Sequence, residues 1–60
     1  MLKDLIRAKG IKQRFIAEKL GVSEVSVSNW VKGKTIPSDE HLIKLCQILD
    51  VPMEKLKHQL

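Results

Sequence analysis

Several features that stabilise small domains are scarce in this chain of 60 residues. It has one cysteine, Cys46, so no disulfide can form within it. A structural zinc ion would need more ligands than Cys46, His41 and His58 offer at their spacing. Phe15 and Trp30 are its only aromatic residues. Stability must therefore come from an apolar core, although a chain of this length buries only about 60% of the surface that its unfolded form exposes.

Other absences limit the class of protein. No apolar run approaches the ~18 residues of a membrane span, and the N-terminus lacks the apolar stretch of a signal peptide, which predicts a cytoplasmic protein that binds no membrane. There is no glycine-rich phosphate loop, paired carboxylate site or metal-ligand cluster, and the chain is too short to enclose a substrate cleft of ~300 Å³ or more. We therefore expect a single domain over residues 1–60 that is not an enzyme, with no cofactor, metal or small-molecule substrate.

Apolar residues recur at helical spacing, which predicts an all-α fold of five short helices. The expected bounds are Met1–Ala8, Lys12 or Gln13 to Leu20, Ser23 or Glu24 to Lys32, a fourth helix that Ser38 caps, and Met53–His58. Pro37 keeps Ile36 extended, and Pro52 is expected in the first turn of the last helix. The apolar stripe of the fourth helix comprises Leu42, Leu45, Cys46 and Leu49. His41 and His58 are expected on the surface.

Residues 13–33 have the pattern of two helices that cross at a tight turn. The faces that should meet carry Ile16, Ala17 and Leu20 in the first helix and Val27 and Trp30 in the second. Gly21 tolerates the left-handed conformation of a helix C-cap, and Ser23 can cap the next helix. The small Ala17 permits close approach. Two helices joined by a three- or four-residue turn containing glycine form a helix-turn-helix pattern.

The positive charge is concentrated in the same half of the chain. Residues 1–36 carry eight Lys or Arg against three Asp or Glu, a net charge of +5. Residues 37–60 carry three against four, a net charge of −1, which together give the formal charge of +4. Solvated lysine faces are common, but this asymmetry favours a surface that faces phosphates.

Several residues and short runs in this chain match the motifs of a known family. They are Gln13, the run Leu20–Ser23, Val27, Ser28, Trp30, Gly33, Pro37, Ser38 and the leucines of the fourth helix. Through them, residues 2–56 resemble the lambda-repressor-like, Cro/C1-type helix-turn-helix family of phage repressors, Cro proteins and antitoxins. The resemblance implies a compact five-helix domain in which helices two and three form the motif. It also implies a transcriptional regulator that binds a palindromic double-stranded DNA operator as a homodimer.

The resemblance, together with the positions and charges of the side chains on the helices, predicts which residues contact DNA. The second helix of the motif enters the major groove with its first residues against the bases. The residues expected to read bases are Glu24, Val25, Ser28 and Asn29. Those expected to contact phosphates are Gln13, Arg14, Ser23, Lys32, Lys34 and Thr35, with Lys12 beside them. Asparagine can bond adenine, glutamate can accept from cytosine N4, and valine can contact a thymine methyl group.

The chain departs from the family at Ile6 and Val31, where an Arg and a Glu usually pair. Because both charges are replaced together, we expect the two apolar side chains to touch. The C-terminal half has more apolar residues than one small core needs, which predicts a homodimer there. The residues concerned are Ile43, Ile48, Leu56 and Leu60, although Ile48 and Leu56 could instead be ordinary core and Ile43 a scattered surface residue.

Two other interpretations of the sequence remain open. An antitoxin-like or anti-regulator module could keep the fold and bind a protein instead of DNA. The chain could also be a fragment of a longer repressor, because Leu60 provides no clear finish.

Overall fold

A computed structural model describes residues 2–60, and these residues form five α-helices. The helices are α1 (Leu2–Lys9), α2 (Gln13–Leu20), α3 (Glu24–Lys32), α4 (Asp39–Leu49) and α5 (Met53–His58). No strand occurs between residues 2 and 60. The predicted all-α fold is confirmed, and α1 continues one residue beyond its expected end. The expected start of α1 at Met1 lies outside the described residues.

Local capping rules account for the ends of α2, α3 and α4. Gly21 ends α2 in the left-handed conformation (φ +71°), and its N–H donates to the carbonyl of Ala17. Ser23 precedes α3, and its Oγ accepts from the N–H of Ser26 at 3.1 Å. Ser38 caps α4 in the same way through the N–H of His41, at 3.4 Å. These caps supply partners for backbone groups that a helix end would otherwise leave unpaired.

The loop between α4 and α5 differs from its expected form. Asp50 ends α4 with a positive φ of 54°, in a place where α2 and α3 use glycine. Pro52 lies in extended backbone (φ −71°, ψ 154°) immediately before α5, so the expectation that it falls in the first turn is wrong by one residue. The proline ring fixes φ near this value without needing a backbone N–H.

One apolar core joins the helices. Its buried members are Leu2, Ile6, Ile16, Ala17, Leu20, Val27, Trp30, Val31, Leu42, Leu45, Leu49, Val51 and Leu56. Cys46 and Ile48 pack partly buried against it. The Cys46 thiol contacts the Met53 sulfur at 3.8 Å, which agrees with its expected place beside the core. α1 and α2 each pack on α3 and on α4, and α5 packs on α4.

Exposure decides between the two alternatives for Leu56 and corrects the expectation for His41. Leu56 is completely buried, so it is ordinary core, which was one of the two alternatives, and it cannot line a surface between two copies. His41 is half-buried, because its ring lies against Trp30 with the ring centroids 5.5 Å apart. His58 is exposed as expected.

Candidate nucleic-acid interface

The orientation of α3 is fixed by its buried side. Val27, Trp30 and Val31 are at most 7% exposed and belong to the common core. On a helix with 3.6 residues per turn, the side opposite these three carries Val25, Asn29 and Lys32 at i, i+4 and i+7. Val25 is 68% exposed although it is apolar. The outer side of α3 therefore offers one apolar, one amide and one cationic side chain to a partner.

The four residues predicted to read bases fall on two neighbouring stripes of α3. Glu24 and Ser28 lie on the side toward α1 and the start of α2, because each lines a cleft formed with those helices. Val25 and Asn29 lie on the outer side. Glu24 is exposed, whereas Ser28 and Asn29 are half-buried. The four residues thus lie on two adjacent stripes of α3. Their contacts with bases stay a prediction.

The backbone after α3 folds back on the carbonyl of Asn29. This oxygen accepts the N–H groups of Gly33 and Lys34, the latter at 2.9 Å, and of Thr35 at 3.5 Å. Gly33 makes this possible with a φ of +78°. The side chains of Lys34 and Thr35 are exposed immediately beyond the end of α3. Their contact with phosphates stays a prediction.

The start of α2 provides a second group of candidate phosphate ligands. Lys12 occupies the N-cap position, and no side-chain hydrogen bond caps the helix there. The N–H groups of the first turn then have no side-chain acceptor at the N-cap, and the helix dipole favours an anion at this end. Gln13 is half-buried at the same point and lines both clefts beside α3.

Arg14 has a competing partner. Its Nε lies 3.5 Å from Oε1 of Glu18, one turn along α2, and both side chains are largely exposed. A pair of this kind adds little to stability, so it can open at small cost when a phosphate approaches. Ser23 also has a structural role, since its Oγ accepts the cap bond and lies 3.1 Å from the Ser26 Oγ. A phosphate contact by Ser23 would have to use a donor, its hydroxyl or its backbone N–H.

Two clefts lie between α1, the start of α2 and α3. Their volumes are about 600 and 470 Å³, and both are open to solvent, so neither is an enclosed substrate pocket of the kind that the chain was expected to be too short to form. Both clefts include charged side chains in their walls, and Lys3, Gln13 and Val31 line both. Within residues 2–60 no group of His, Cys, Asp and Glu is arranged to hold a metal ion.

Sequence reasoning missed two exposed apolar residues beside these elements. Phe15 on α2 is 45% exposed, and the Lys19 ammonium lies 5.5 Å from its ring centroid. Ile36, in the loop after α3, is 72% exposed. Helical spacing held a signal for Phe15, because Ile16, Ala17 and Leu20 already define the buried side of α2. Nothing local indicates the exposure of Ile36, which depends on the path of the loop.

Comparison with known proteins adds the decisive observation. A helix-turn-helix family profile of the Cro/C1 type matches residues 2–56, nearly the whole chain. The chain belongs to the Cro/C1-type helix-turn-helix family. α2 and α3 are therefore its helix-turn-helix, and this Cro/C1-type protein is a DNA-binding helix-turn-helix regulator. No solved structure matches the chain significantly.

The family is one of DNA-binding regulators and is generally not enzymatic. No helix in residues 2–60 of this Cro/C1-type chain has the length and apolar character needed to cross a membrane. The matched range includes both helices of the motif, the two clefts and the loop that carries Lys34 and Thr35. All the residues predicted to contact DNA thus lie within the family-defining part of the chain.

Proposed function

We propose that this protein is a sequence-specific transcriptional regulator of the phage repressor or Cro type, which inserts α3 into the major groove of a palindromic operator. The observation that carries the proposal is the division of α3 into two sides. Val27, Trp30 and Val31 fix one side in the core. The other side exposes Val25 and presents side chains that can contact base edges. Basic residues at the start of α2 and after the end of α3 lie beside it.

Base reading is assigned to Glu24, Val25, Ser28 and Asn29. Asn29 can form a pair of hydrogen bonds with adenine, and the exposed Val25 can contact a thymine methyl group. Positioning is assigned to a separate set, Gln13, Arg14, Ser23, Lys32, Lys34 and Thr35. Phosphate contacts of this kind fix register but carry no sequence information directly.

A homodimer on DNA is part of the proposal, because one small helix-turn-helix buries little surface and a palindrome offers two half-sites. Ile43 on α4 and Leu60 after α5 are 51% and 41% exposed, in the half of the chain whose net charge is near zero. Two copies could meet there without strong repulsion. Ile48 is only partly exposed, so it would contribute at most to the edge of such an interface.

Selection from random duplex DNA, followed by titration of the selected site at several salt concentrations, tests the proposal. We expect one enriched palindromic sequence and an affinity that falls steeply as salt rises. An antitoxin-like or anti-regulator module would instead show no enriched sequence and a stoichiometric protein partner. That result, with no salt-sensitive binding to duplex DNA, would contradict the proposal.

A further inference from the structure

α1 forms one wall of the two clefts that run beside the recognition helix. The first cleft extends along α1 to the start of α2 and reaches Glu24, and the second extends toward Ser28 and Lys32 on α3. Lys3 of α1 lines both of them, and Arg7 lines the first. Both side chains are exposed. Their spacing of four residues places them on the same face of α1.

Most of the net charge of the chain lies around these clefts. The walls contain five Lys or Arg, namely Lys3, Arg7, Lys12, Arg14 and Lys32, and two acidic residues, Asp4 and Glu24. Five positive and two negative charges give +3, compared with +4 for the whole protein. Three of the five cations belong to α2, α3 or the turn between α1 and α2. Lys3 and Arg7 instead extend the basic surface onto a helix outside the helix-turn-helix.

The dimensions of duplex DNA place this part of α1 near a phosphate strand. The major groove is about 12 Å wide, which is close to the diameter of one helix with its side chains. A helix packed beside the inserted one has its axis about 8–10 Å away, and so lies at the edge of the groove, where the phosphates are. α1 packs directly on α3, and its basic face opens onto the cleft between them.

We infer that Lys3 and Arg7 form a phosphate-binding element on α1, which holds the DNA strand that flanks α3 on the side of the two clefts. The inference rests on the proposed function and extends it to a third helix. Lys3, which lines both clefts, binds the strand nearest to Ser28 and Lys32. Arg7 binds it nearer to the start of α2. Both contacts add affinity and register, and neither reads a base.

The test compares Lys3→Gln, Arg7→Gln and the double variant with Lys44→Gln, which removes the same charge from an exposed position on α4 outside both clefts. Each protein is titrated against the selected operator and a scrambled duplex at salt concentrations from 50 to 200 mM, after circular dichroism has shown that it is folded. Each lost phosphate contact should reduce the slope of log affinity against log salt by about 0.9 per bound chain.

Lys3→Gln should therefore bind both duplexes more weakly, and its deficit should shrink about 3-fold between 50 and 200 mM salt. The double variant should lose about twice the slope, and Lys44→Gln should keep the wild-type slope. If Lys3→Gln and Arg7→Gln match Lys44→Gln while the wild type binds its operator normally, this inference fails and the proposed function stands. Losses confined to the operator would also overturn it, because they would indicate base reading. A wild-type protein with no salt-dependent DNA binding would overturn both.

Discussion

At the scale of single residues, Glu24 is the unusual member of the candidate interface. It is the one acidic side chain among the residues assigned to base reading, and it lies in the first turn of α3. There its negative charge interacts favourably with the positive end of the helix dipole, and its carboxylate can accept a hydrogen bond from cytosine N4. The same carboxylate repels phosphates wherever its preferred base is absent. A Glu24 that reads a base, as proposed, would therefore increase discrimination between sequences at the expense of general affinity for DNA.

Glu24→Gln should separate these two effects. We expect tighter binding to scrambled duplexes, because the repulsion is lost, together with a weaker preference at one base pair of each half-site. Fluorescence anisotropy on operator and scrambled DNA at the same salt concentration measures both. A uniform loss on the two duplexes would be inconsistent with a base-reading carboxylate at this position.

Ser38 offers a residue-scale test of the fold alone. Its Oγ accepts from the N–H of His41 at the start of α4, away from the candidate interface. Ser38→Ala should lower the free energy of unfolding by about 1 kcal/mol, and Ser38→Asp should restore most of it, because Asp is an equally good N-cap. Denaturant unfolding measures the difference. Equal stability of Ser38→Ala and the wild type would show that this cap contributes nothing.

Single residues also show where sequence reasoning works and where it stops. Gly21, Ser23 and Ser38 were predictable because each cap depends on a few adjacent residues. The partial burial of His41 against Trp30 was not, since it depends on where the start of α4 lies relative to Trp30. Leu56 was ambiguous because α5 has only six residues, too few for the apolar spacing to define a buried side.

At the scale of elements, α1 and α3 carry two apolar residues, Ile6 and Val31, at the positions where the resemblance implies an Arg paired with a Glu. Ile6 and Val31 are 5% and 6% exposed, belong to the same core cluster, and line the same cleft. Their burial on two packed helices supports the prediction that they touch. Two apolar residues at such a site can be as stable as a buried ion pair. The bounds and order of the helices could be predicted from the sequence. The burial of Ile6 and Val31 could be established only from the assembled helices.

A double-mutant cycle tests the contact between Ile6 and Val31. Ile6→Arg and Val31→Glu should each destabilise the protein, because each places an unpaired charge in the core. The double variant should be more stable than the two single effects predict, by about 0.5–3 kcal/mol, because neighbouring charges can pair. Additive effects in urea unfolding would show that the two sites are not in contact.

At the scale of the whole molecule, the basic half (residues 1–36) and the near-neutral half (residues 37–60) have separate roles in the proposal. The basic half faces DNA, and the C-terminal half is expected to join two copies. Ile43→Lys and Leu60→Lys should weaken self-association, because they place positive charges where the two copies are proposed to meet. Phe15→Lys is a matched control, since Phe15 is similarly exposed but lies on α2. Analytical ultracentrifugation with and without a palindromic duplex measures the stoichiometry.

We expect two chains per wild-type palindrome, with self-association reduced in the first two variants and unchanged in Phe15→Lys. A strict monomer at high concentration, together with one chain per palindrome, would contradict the dimer. The sequence placed surplus apolar residues in this half but could not separate core from surface among them. Exposure distinguishes Ile43 and Leu60 from Leu56 only after the helices are assembled.

The central claim is that α3 reads bases while the residues beyond its end bind phosphates. The most direct measurement compares Asn29→Ala and Lys34→Ala on the selected operator and on scrambled duplexes, across a range of salt concentrations. Asn29→Ala should cost about 1–3 kcal/mol on the operator alone and relax the preference at one base pair in each half-site. Lys34→Ala should weaken binding to all duplexes alike and reduce the salt slope by about one unit. If both variants gave the same uniform loss on operator and scrambled DNA, α3 would not be the recognition helix.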